Sequence, residues 1–186
     1  SGQGNNWTPY KFAVASNNYP QYVYAGNATY SGSETAKTFY TGNGYTLFDG
    51  TIDSQVGGQN IVGSWLYFRP ASAITGVTSL ELYGSYNSNV YVNGVNYAFS
   101  PAFGSSGTWV TVTSPPSSIT EIAVKGAVTS SAAARLRAIK INGVILTDYG
   151  LQGIGPLTDT PTSVGTDTGS GGEVKGNYCT LNPLEV

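Results

Sequence analysis

Two short stretches of the chain, IKINGV at residues 139–144 and VYVNGV at residues 90–95, are nearly the same. In each, Asn-Gly lies between β-branched residues. This is the strongest local signal for a β-hairpin, because a type I′ turn requires positive φ at both central residues and Asn and Gly tolerate it best. The sequence therefore predicts tight turns at Asn93-Gly94 and Asn142-Gly143.

The similarity extends well upstream of both turns. One copy begins WLYFRPASAITGVTSLELYG at residue 65, and the other begins WVTVTSPPSSITEIAVKG at residue 109. Each has a Trp that opens a short strand, a Pro break, an Ile-Thr step and a second strand that ends in Gly. Apolar and polar residues alternate in these second strands, as expected where one face is buried. With turns about every 8 to 12 residues, the pattern predicts an all-β fold, an antiparallel β-sandwich of jelly-roll type in which the copies supply facing or neighbouring strands.

The segment AAARLRAIKI, residues 132–141, changes its apolar phase midway. Leu136 and Ala138 share one face, after which Ile139 and Ile141 take the apolar positions. A β-bulge near Ala138-Ile139 would reconcile the two halves of one strand. A short helix is the alternative, since Ala, Leu and Arg are good helix formers. We favour the strand, because the segment runs directly into the second Asn-Gly turn.

Composition divides the chain into three parts. Residues 1–45 are rich in Tyr, Asn and Gly and are expected to form three or four further strands, either as part of the sandwich or as a subunit contact. Residues 46–149 contain the sandwich with its internal pseudo-repeat. Residues 150–186 are rich in Thr, Gly, Ser, Asp and Pro and have almost no apolar pattern. This composition predicts an extended C-terminal arm, either a linker or the start of a following module.

The low charge content restricts the classes of partner. Lys, Arg, Asp and Glu make up only 10% of the 186 residues, and the formal net charge is -2. The densest basic cluster, Arg135, Arg137 and Lys140, is too small for a nucleic-acid surface and is interpreted as the solvated face of a strand. No apolar run approaches the roughly 18 residues that a bilayer requires, so membrane insertion is not expected.

Few residue types that support catalysis are present. The chain has no His, which excludes Ser-His-Asp and Cys-His arrangements. Its 10 acidic residues are scattered singly apart from Asp49 and Asp53, which share one loop, so a pair of carboxylates across a cleft is not expected. We therefore expect a protein that is not an enzyme.

The segment YGSYNSNVY, residues 83–91, carries side chains of the kind that hold neutral sugars. An aromatic ring packs on the apolar face of a pyranose, while amides and hydroxyls bond to its edge. A Trp after the Gly- and Ser-rich FGSSG is a further candidate platform. The alternative for each aromatic is a place over the core or on a sheet face, and it is favoured for the Trp residues that open the two repeats. The candidate glycan-binding residues are Tyr83, Tyr86, Asn87, Asn89, Tyr91 and Trp109.

The loop TLFDGTIDSQVGGQN, residues 46–60, contains the candidate metal ligands. Asp49, followed by Gly50, and then Asp53 place carboxylate and carbonyl oxygens on one tight loop, and calcium prefers such oxygen ligands. The alternative is an Asp-Gly turn in which the carboxylate accepts capping hydrogen bonds. Calcium is the one candidate cofactor, with Asp49 and Asp53 as its candidate ligands.

Four short motifs resemble those of the galactose-binding, discoidin-like jelly rolls. In chain order they are FDG at residues 48–50, SLELYG at 79–84, Trp109 with its strand, and RAIKINGV at 137–144. The resemblance covers residues 46–147 and implies a jelly-roll sandwich. It also implies a calcium-binding loop, in which Asp49 matches the loop acid of the family. The family's sugar-binding Arg and His residues have no clear counterpart in this chain.

The phrase AIKINGVILTD at residues 138–148, the linker after it, and GNYCTLNPL at residues 176–184 resemble modular tail-fibre and virion-appendage proteins of marine phages, especially cyanophages. This second resemblance covers residues 62–184. It implies a protein of the virion surface, outside the cell, that contacts the host envelope or other virion proteins. It also implies a homo-oligomer, with a trimer favoured.

Three functions follow from these observations as expectations. The first is a non-enzymatic phage virion protein, a tail-fibre or appendage module that attaches to host-surface polysaccharide. The second is a purely structural protein of virion assembly or decoration. The third is a carbohydrate-binding module of a secreted bacterial protein. None of the three requires nucleic acid or membrane insertion.

Overall fold

Two antiparallel sheets pack against each other in the computed structural model, which describes residues 17–128 and 133–148. A 3-10 helix spans Tyr19–Tyr22 and one α-helix, α1, spans Gly44–Leu47. In these described ranges no helix has the length and apolar character needed to cross a membrane. The strands are β1 (Val23–Gly26), β2 (Val56–Gly57), β3 (Trp65–Phe68), β4 (Ile74–Thr75), β5 (Leu80–Ser85), β6 (Asn87–Val92), β7 (Val95–Tyr97), β8 (Phe99–Ser100), β9 (Thr108–Val112), β10 (Ser118–Ile119), β11 (Ile122–Gly126), β12 (Arg135–Ile141) and β13 (Val144–Ile145).

The front sheet has the strand order β1-β3-β11-β6-β7, and the back sheet has the order β13-β12-β5-β9-β8 with β2 also paired to β12. Strands β4 and β10 form a separate two-stranded ribbon. Alternate side chains of both sheets meet in one core, so the predicted all-β sandwich is confirmed, while its jelly-roll connectivity stays a prediction. The fully buried side chains of this core include Leu66, Phe68, Leu80, Leu82, Ile122, Leu136 and Ile139.

The two copies of the repeat are interleaved between the sheets. β3 of the first copy pairs with β11 of the second, and β9 of the second pairs with β5 of the first. The pairs β11–β6 and β5–β12 correspond in the same way, as do the hairpins β6–β7 and β12–β13. The ribbon β4–β10 joins equivalent segments of the two copies directly. Exchanging the copies therefore converts the front sheet into the back sheet.

Both Asn-Gly turns have the predicted conformation. Asn93 and Asn142 each have a φ of 51°, and the glycines after them have φ of 79° and 78°. These are the two consecutive positive φ angles of a type I′ turn. The strands on either side of each turn pair at once, Val92 with Val95 and β12 with β13, so the local signal in the sequence is confirmed.

Each turn also holds the other copy of the repeat in place. The Asn142 side chain accepts hydrogen bonds of 2.7 and 3.1 Å from two backbone N–H groups of residues 76–79 and donates one of 2.8 Å to a carbonyl there. The Asn93 side chain makes the equivalent bonds, of 2.7, 3.1 and 2.8 Å, to residues 118–121. Asn therefore has two roles, because it tolerates positive φ and its amide fastens a loop that precedes a strand of the other copy.

The phase change in the last long strand is a β-bulge. Residues 135–141 form β12, so the strand is correct and the helical alternative is wrong. The register against β5 shifts between Leu136 and Ala138, which makes Arg137 the extra residue. The bulge thus lies within a residue or two of its predicted position. β6 has an equivalent shift at Ser88, so the irregularity is part of the repeated unit.

Residues 17–45 contain fewer strands than the three or four predicted for residues 1–45. β1 pairs with β3, which makes this region part of the front sheet. Residues 44–47 are helical instead of extended, because Asn43 caps α1 by accepting a hydrogen bond of 2.9 Å from the Tyr45 N–H. The Thr46 hydroxyl accepts the reciprocal bond from the Asn43 N–H at 3.0 Å, which completes a capping box. Residues 1–16 of the predicted N-terminal region and the predicted arm at residues 150–186 lie outside the described residues.

Candidate functional site

The outer face of the front sheet is covered by the chain itself. Residues 27–37 fold across it, and the Tyr30 ring centroid lies 5.1 Å from that of Trp65 and 5.0 Å from that of Tyr91. Trp65 and Tyr67 are consequently only 3% and 0% exposed. We call this surface, formed by Trp65, Tyr67 and Tyr91 beneath Tyr30, the covered face.

Polar contacts fix residues 27–37 on the covered face. Arg69 Nε donates to Glu121 Oε2 at 2.6 Å, and the Tyr30 hydroxyl donates to Glu121 Oε1 at 2.5 Å. The other guanidinium nitrogens of Arg69 donate to the carbonyls of Ser31 and Glu34 at 2.7 and 2.5 Å. Burial, and then the hydrogen bond to the Glu121 carboxylate, raise the pKa of the Tyr30 hydroxyl above its ordinary value. This face is therefore closed to ligands in the native fold.

The back sheet carries a Trp at the equivalent position, and the described residues place no comparable loop over it. Trp109 on β9 pairs with Tyr83 on β5, the ring centroids are 5.2 Å apart, and both side chains are partly exposed. Lys140 Nζ lies 3.9 Å from the centroid of the Trp109 ring and 3.3 Å from Glu81 Oε2. An aromatic pair with a cation over its Trp ring therefore lies on the outer side of the sheet.

Strand register relates this group to the covered face residue by residue. In both sheets the same three positions hold one Trp, one Tyr and one Lys. The position that holds the Tyr in one sheet holds the Lys in the other. The equivalent pairs are Trp109 with Trp65, Tyr83 with Lys125, and Lys140 with Tyr91. The duplication thus produced two related surfaces, of which one is closed.

Two arginines extend the group along β12. The Arg135 guanidinium carbon lies 5.2 Å from the Tyr86 ring centroid and 5.7 Å from that of Tyr40. The Arg137 guanidinium lies 6.0 Å from the Tyr83 ring centroid. Such distances are typical of cation–π contacts. We call this surface the open face and define it by Tyr83, Tyr86, Trp109, Arg135, Arg137 and Lys140.

The structure separates the six candidate glycan-binding residues. Tyr83, Tyr86 and Trp109 lie on the open face, whereas Tyr91 lies under Tyr30 on the covered face. The other two candidates, Asn87 and Asn89, are amides of β6. The sequence placed all six around one loop, but adjacent strands of that segment belong to different sheets.

Of the two amides, Asn87 has a structural role. It is 6% exposed, its Nδ2 donates to the Arg135 carbonyl at 2.6 Å, and its Oδ1 accepts from the Arg135 N–H at 2.8 Å. Asn89 lies opposite Lys125 in the front sheet and accepts a hydrogen bond from the Ser88 hydroxyl at 3.0 Å. Neither amide joins the open face.

Sequence reasoning missed the basic half of the open face. Arg135, Arg137 and Lys140 do lie on the outward side of a strand, as predicted, but they also contact the aromatic rings of neighbouring strands. The alternation of basic and apolar residues in β12 was the available signal. The identity of the neighbouring strands decides the contacts, and that information is not local.

The candidate calcium loop forms an Asp-Gly turn. Asp49 Oδ1 accepts hydrogen bonds from the Thr51 N–H at 2.8 Å and the Thr51 hydroxyl at 3.0 Å, and Gly50 has a φ of 82°. Within residues 17–128 and 133–148, no group of three or more His, Cys, Asp or Glu side chains could hold a metal ion. Asp49 and Asp53 therefore do not belong to such a group, and a calcium site at these two residues stays a prediction. Arg137 Nη1 donates to the Ile52 carbonyl at 3.3 Å, so this loop borders the open face.

Comparison with known proteins identifies no relative. No protein-family model matches the chain, and no curated protein or solved structure matches it significantly.

Proposed function

We propose that the protein is a non-catalytic recognition module that binds carbohydrate on the open face. The observation that carries this proposal is the partly exposed Tyr83–Trp109 pair on the outer side of a sheet, with the hydrogen-bond donor Lys140 over the Trp109 ring. An aromatic surface of this kind packs against the apolar face of a sugar ring, and donors at its edge bond to the hydroxyls. The covered face supports the assignment by contrast, because its Trp is already occupied by Tyr30.

The biological setting that we propose is the surface of a phage virion. It rests on the sequence resemblance to tail-fibre and appendage modules of marine phages and on the low charge content. A module with a rigid sandwich and one exposed sheet face suits attachment to polysaccharide on a host envelope. The proposed assembly is a homotrimer, which would present several copies of a weak site to a repetitive polymer.

Virion assembly is a second candidate function, and a different observation favours it. Val95 and Val144, at equivalent positions after the two Asn-Gly turns, are 57% and 42% exposed. They begin β7 and β13, which are edge strands of the two sheets. Exposed apolar side chains on sheet edges favour contacts with another chain. These edges are separate from the open face, so the two candidate functions are compatible.

The full-length protein on a glycan array, together with Trp109→Ala, tests the proposed function. We expect binding to a subset of polysaccharides that Trp109→Ala reduces to background while circular dichroism stays that of the native fold. Tyr24→Ala is the matched control, since it removes a tyrosine from the outer side of the front sheet that also has a cation, Lys37, 4.6 Å from its ring centroid. Absence of binding to every polysaccharide, or equal binding by wild type and Trp109→Ala, would refute the proposal. Sedimentation of Val95→Asp and Val144→Asp tests the assembly role, because that role places subunit contacts at these edges and predicts loss of the oligomer; an unchanged oligomer would refute it.

A further inference from the structure

We propose that the polysaccharide bound by the open face is anionic and that its carboxylate or sulfate groups contact Arg135, Arg137 and Lys140. The inference rests on the proposed function and adds the chemical class of the ligand. It also adds specificity-determining residues, since sequence reasoning placed sugar binding on aromatic and amide side chains alone.

The charge of the open face is opposite to that of the whole chain, whose formal net charge is -2. Three outward basic side chains of β12 have one acidic neighbour on β5, Glu81, so the face carries three positive charges minus one, a net charge of +2. Glu81 pairs with Lys140 at 3.3 Å. In the described part of the chain neither arginine of β12 has a carboxylate partner, although exposed Asp53 follows the Ile52 carbonyl that binds Arg137.

The positive charges are spaced for a polymer. Arg135 and Lys140 pair with Ser85 and Glu81, which are four residues apart on β5, and this corresponds to about 13 Å at about 3.3 Å per residue. The bulge makes Arg137 an extra residue between them and turns its guanidinium toward the Tyr83 ring. A chain of acidic sugars that follows β12 can contact all three.

Aromatic contacts orient the cations for anion binding. A guanidinium that stacks on a ring, as Arg135 does beside Tyr86, keeps N–H groups at its rim for bidentate bonds to carboxylate or sulfate. The Tyr83–Trp109 pair, on β5 and β9 to one side of β12, provides apolar surface for the carbons of a sugar ring. Three cations are too few for the roughly 6 to 10 phosphate contacts of a typical nucleic-acid site. A row of positive charges next to an aromatic surface thus favours an acidic polysaccharide as the ligand.

Titration of four soluble polymers against the full-length protein tests the inference. The polymers are polygalacturonate, dextran sulfate, neutral dextran and poly-glutamate, and comparison of the first two distinguishes a carboxylate from a sulfate ligand. We expect binding to one or both acidic polysaccharides, weak or no binding to dextran, and weak binding to poly-glutamate, which has charge without sugar rings. Raising the salt from about 0.1 M to 1 M should weaken binding strongly, because the screening length falls from about 10 Å to about 3 Å.

Charge-removing variants locate the contact. Arg137→Gln should weaken binding to the acidic polysaccharide about tenfold, as expected for loss of one charge-assisted contact. Lys140→Gln and Lys125→Gln form a matched pair, since each lysine lies over a repeat Trp, at 3.9 Å on the open face and at 5.8 Å on the covered face. Only Lys140→Gln should lower the affinity, and thermal unfolding should show both variants folded.

The outcomes separate this inference from the proposed function. Salt-insensitive binding to neutral glycans that is lost in Trp109→Ala would refute the anionic ligand and keep the proposed function. Equal binding of poly-glutamate and polygalacturonate would refute the assignment of the ligand as a polysaccharide and would identify an acidic protein segment as the partner. An unchanged affinity in both Arg137→Gln and Lys140→Gln would overturn the role of β12. Failure of all polymers and all glycans would refute the proposed function itself.

Discussion

The covered face and the open face derive from the same repeated unit but end in opposite states. Each presents a Trp at the start of a strand, with an aromatic ring and a lysine at the two adjacent positions. On the front sheet, residues 27–37 place Tyr30 against the Trp and bury it. On the back sheet the Trp stays partly exposed among cations. An aromatic residue on a sheet is therefore a structural or a recognition element according to what the rest of the chain packs on it.

Two substitutions between the copies explain why Tyr30 packs on one face. Register places Ala123 of β11 where β5 has Glu81, and Tyr67 of β3 where β9 has Thr111. The small Ala123 leaves room for the Tyr30 ring, and Tyr67 adds a ring 5.8 Å from it. Glu81 instead puts a charge beside Trp109, which would be costly to bury under an apolar cover.

Removal of the Glu121 carboxylate, which holds residues 27–37 on the covered face, should have the largest effect on stability. Glu121→Ala should lower the free energy of unfolding by about 3 kcal/mol, because it leaves the largely buried guanidinium of Arg69 without its partner and Tyr30 without its acceptor. Glu81→Ala removes the carboxylate of the more exposed pair with Lys140 and should cost less than about 1 kcal/mol. Urea denaturation followed by circular dichroism measures both. Equal costs would mean that the two faces do not differ in this way.

Removing the covering ring should have the next largest effect. Tyr30→Ala should cost about 2 kcal/mol, since the ring contacts Trp65, Tyr67 and Tyr91, and it should make Trp65 accessible to acrylamide. Tyr83→Ala, which loses one ring contact with Trp109, should cost about 1 kcal/mol. Fluorescence quenching in a Trp7→Phe, Trp109→Phe background leaves Trp65 as the one tryptophan of the chain. Unchanged quenching in Tyr30→Ala would contradict the assignment of Tyr30 as the cover.

The side chains of Asn93 and Asn142 make equivalent hydrogen bonds to the opposite copy, so at these two positions the copies should contribute equally to stability. Asn93→Ala and Asn142→Ala should each cost about 1.5 kcal/mol, since each loses the bonds to the opposite copy and strains a residue at positive φ. Equilibrium unfolding should give equal values within about 0.5 kcal/mol. A large difference would show that the two copies are not energetically equivalent.

The smallest expected effect is a pH dependence specific to the covered face. Because the folded state raises the pKa of Tyr30, its contribution to stability is present below the unfolded pKa near 10 and is lost as the pH rises above about 10. Tyr30→Phe should therefore show a smaller loss of unfolding free energy between pH 9 and 11 than wild type. Lys37, whose pKa burial lowers, is present in both proteins and cancels in the comparison. Parallel pH profiles for the two proteins would contradict the proposed burial of the Tyr30 hydroxyl.

Much of the fold was predictable because its signals are local. The positive φ of Asn93 and Asn142, the alternation in β5 and the strand character of residues 135–141 follow from side-chain preferences within a few residues. The helix at Gly44–Leu47 was missed, since the Asn43 capping box lies in a Tyr- and Gly-rich stretch that is typical of strands. At Asp49 the local signal predicted the Asp-Gly turn that forms, while the calcium hypothesis for Asp49 and Asp53 stays a prediction.

The candidate site was only half predictable. Tyr83, Tyr86 and Trp109 are partly exposed and their residue types made them candidates, but Tyr91 and Asn87 look equally suitable in the sequence. Their roles depend on the sheet topology, in which the consecutive strands β5 and β6 belong to different sheets, β5 to the back sheet and β6 to the front sheet. Since the assignment of strands to sheets depends on contacts between residues far apart in the chain, no local pattern can predict it.

The sequence by itself determined that this protein has paired hairpins, a repeated unit and a sandwich of alternating strands, because turn chemistry and side-chain periodicity act over a few residues. Tertiary structure decided which copy pairs with which, that Tyr30 closes the face of Trp65, and that Arg135, Arg137 and Lys140 meet the rings of Tyr83, Tyr86 and Trp109. The physical reason is that burial and ion pairing depend on neighbours brought together across the two sheets.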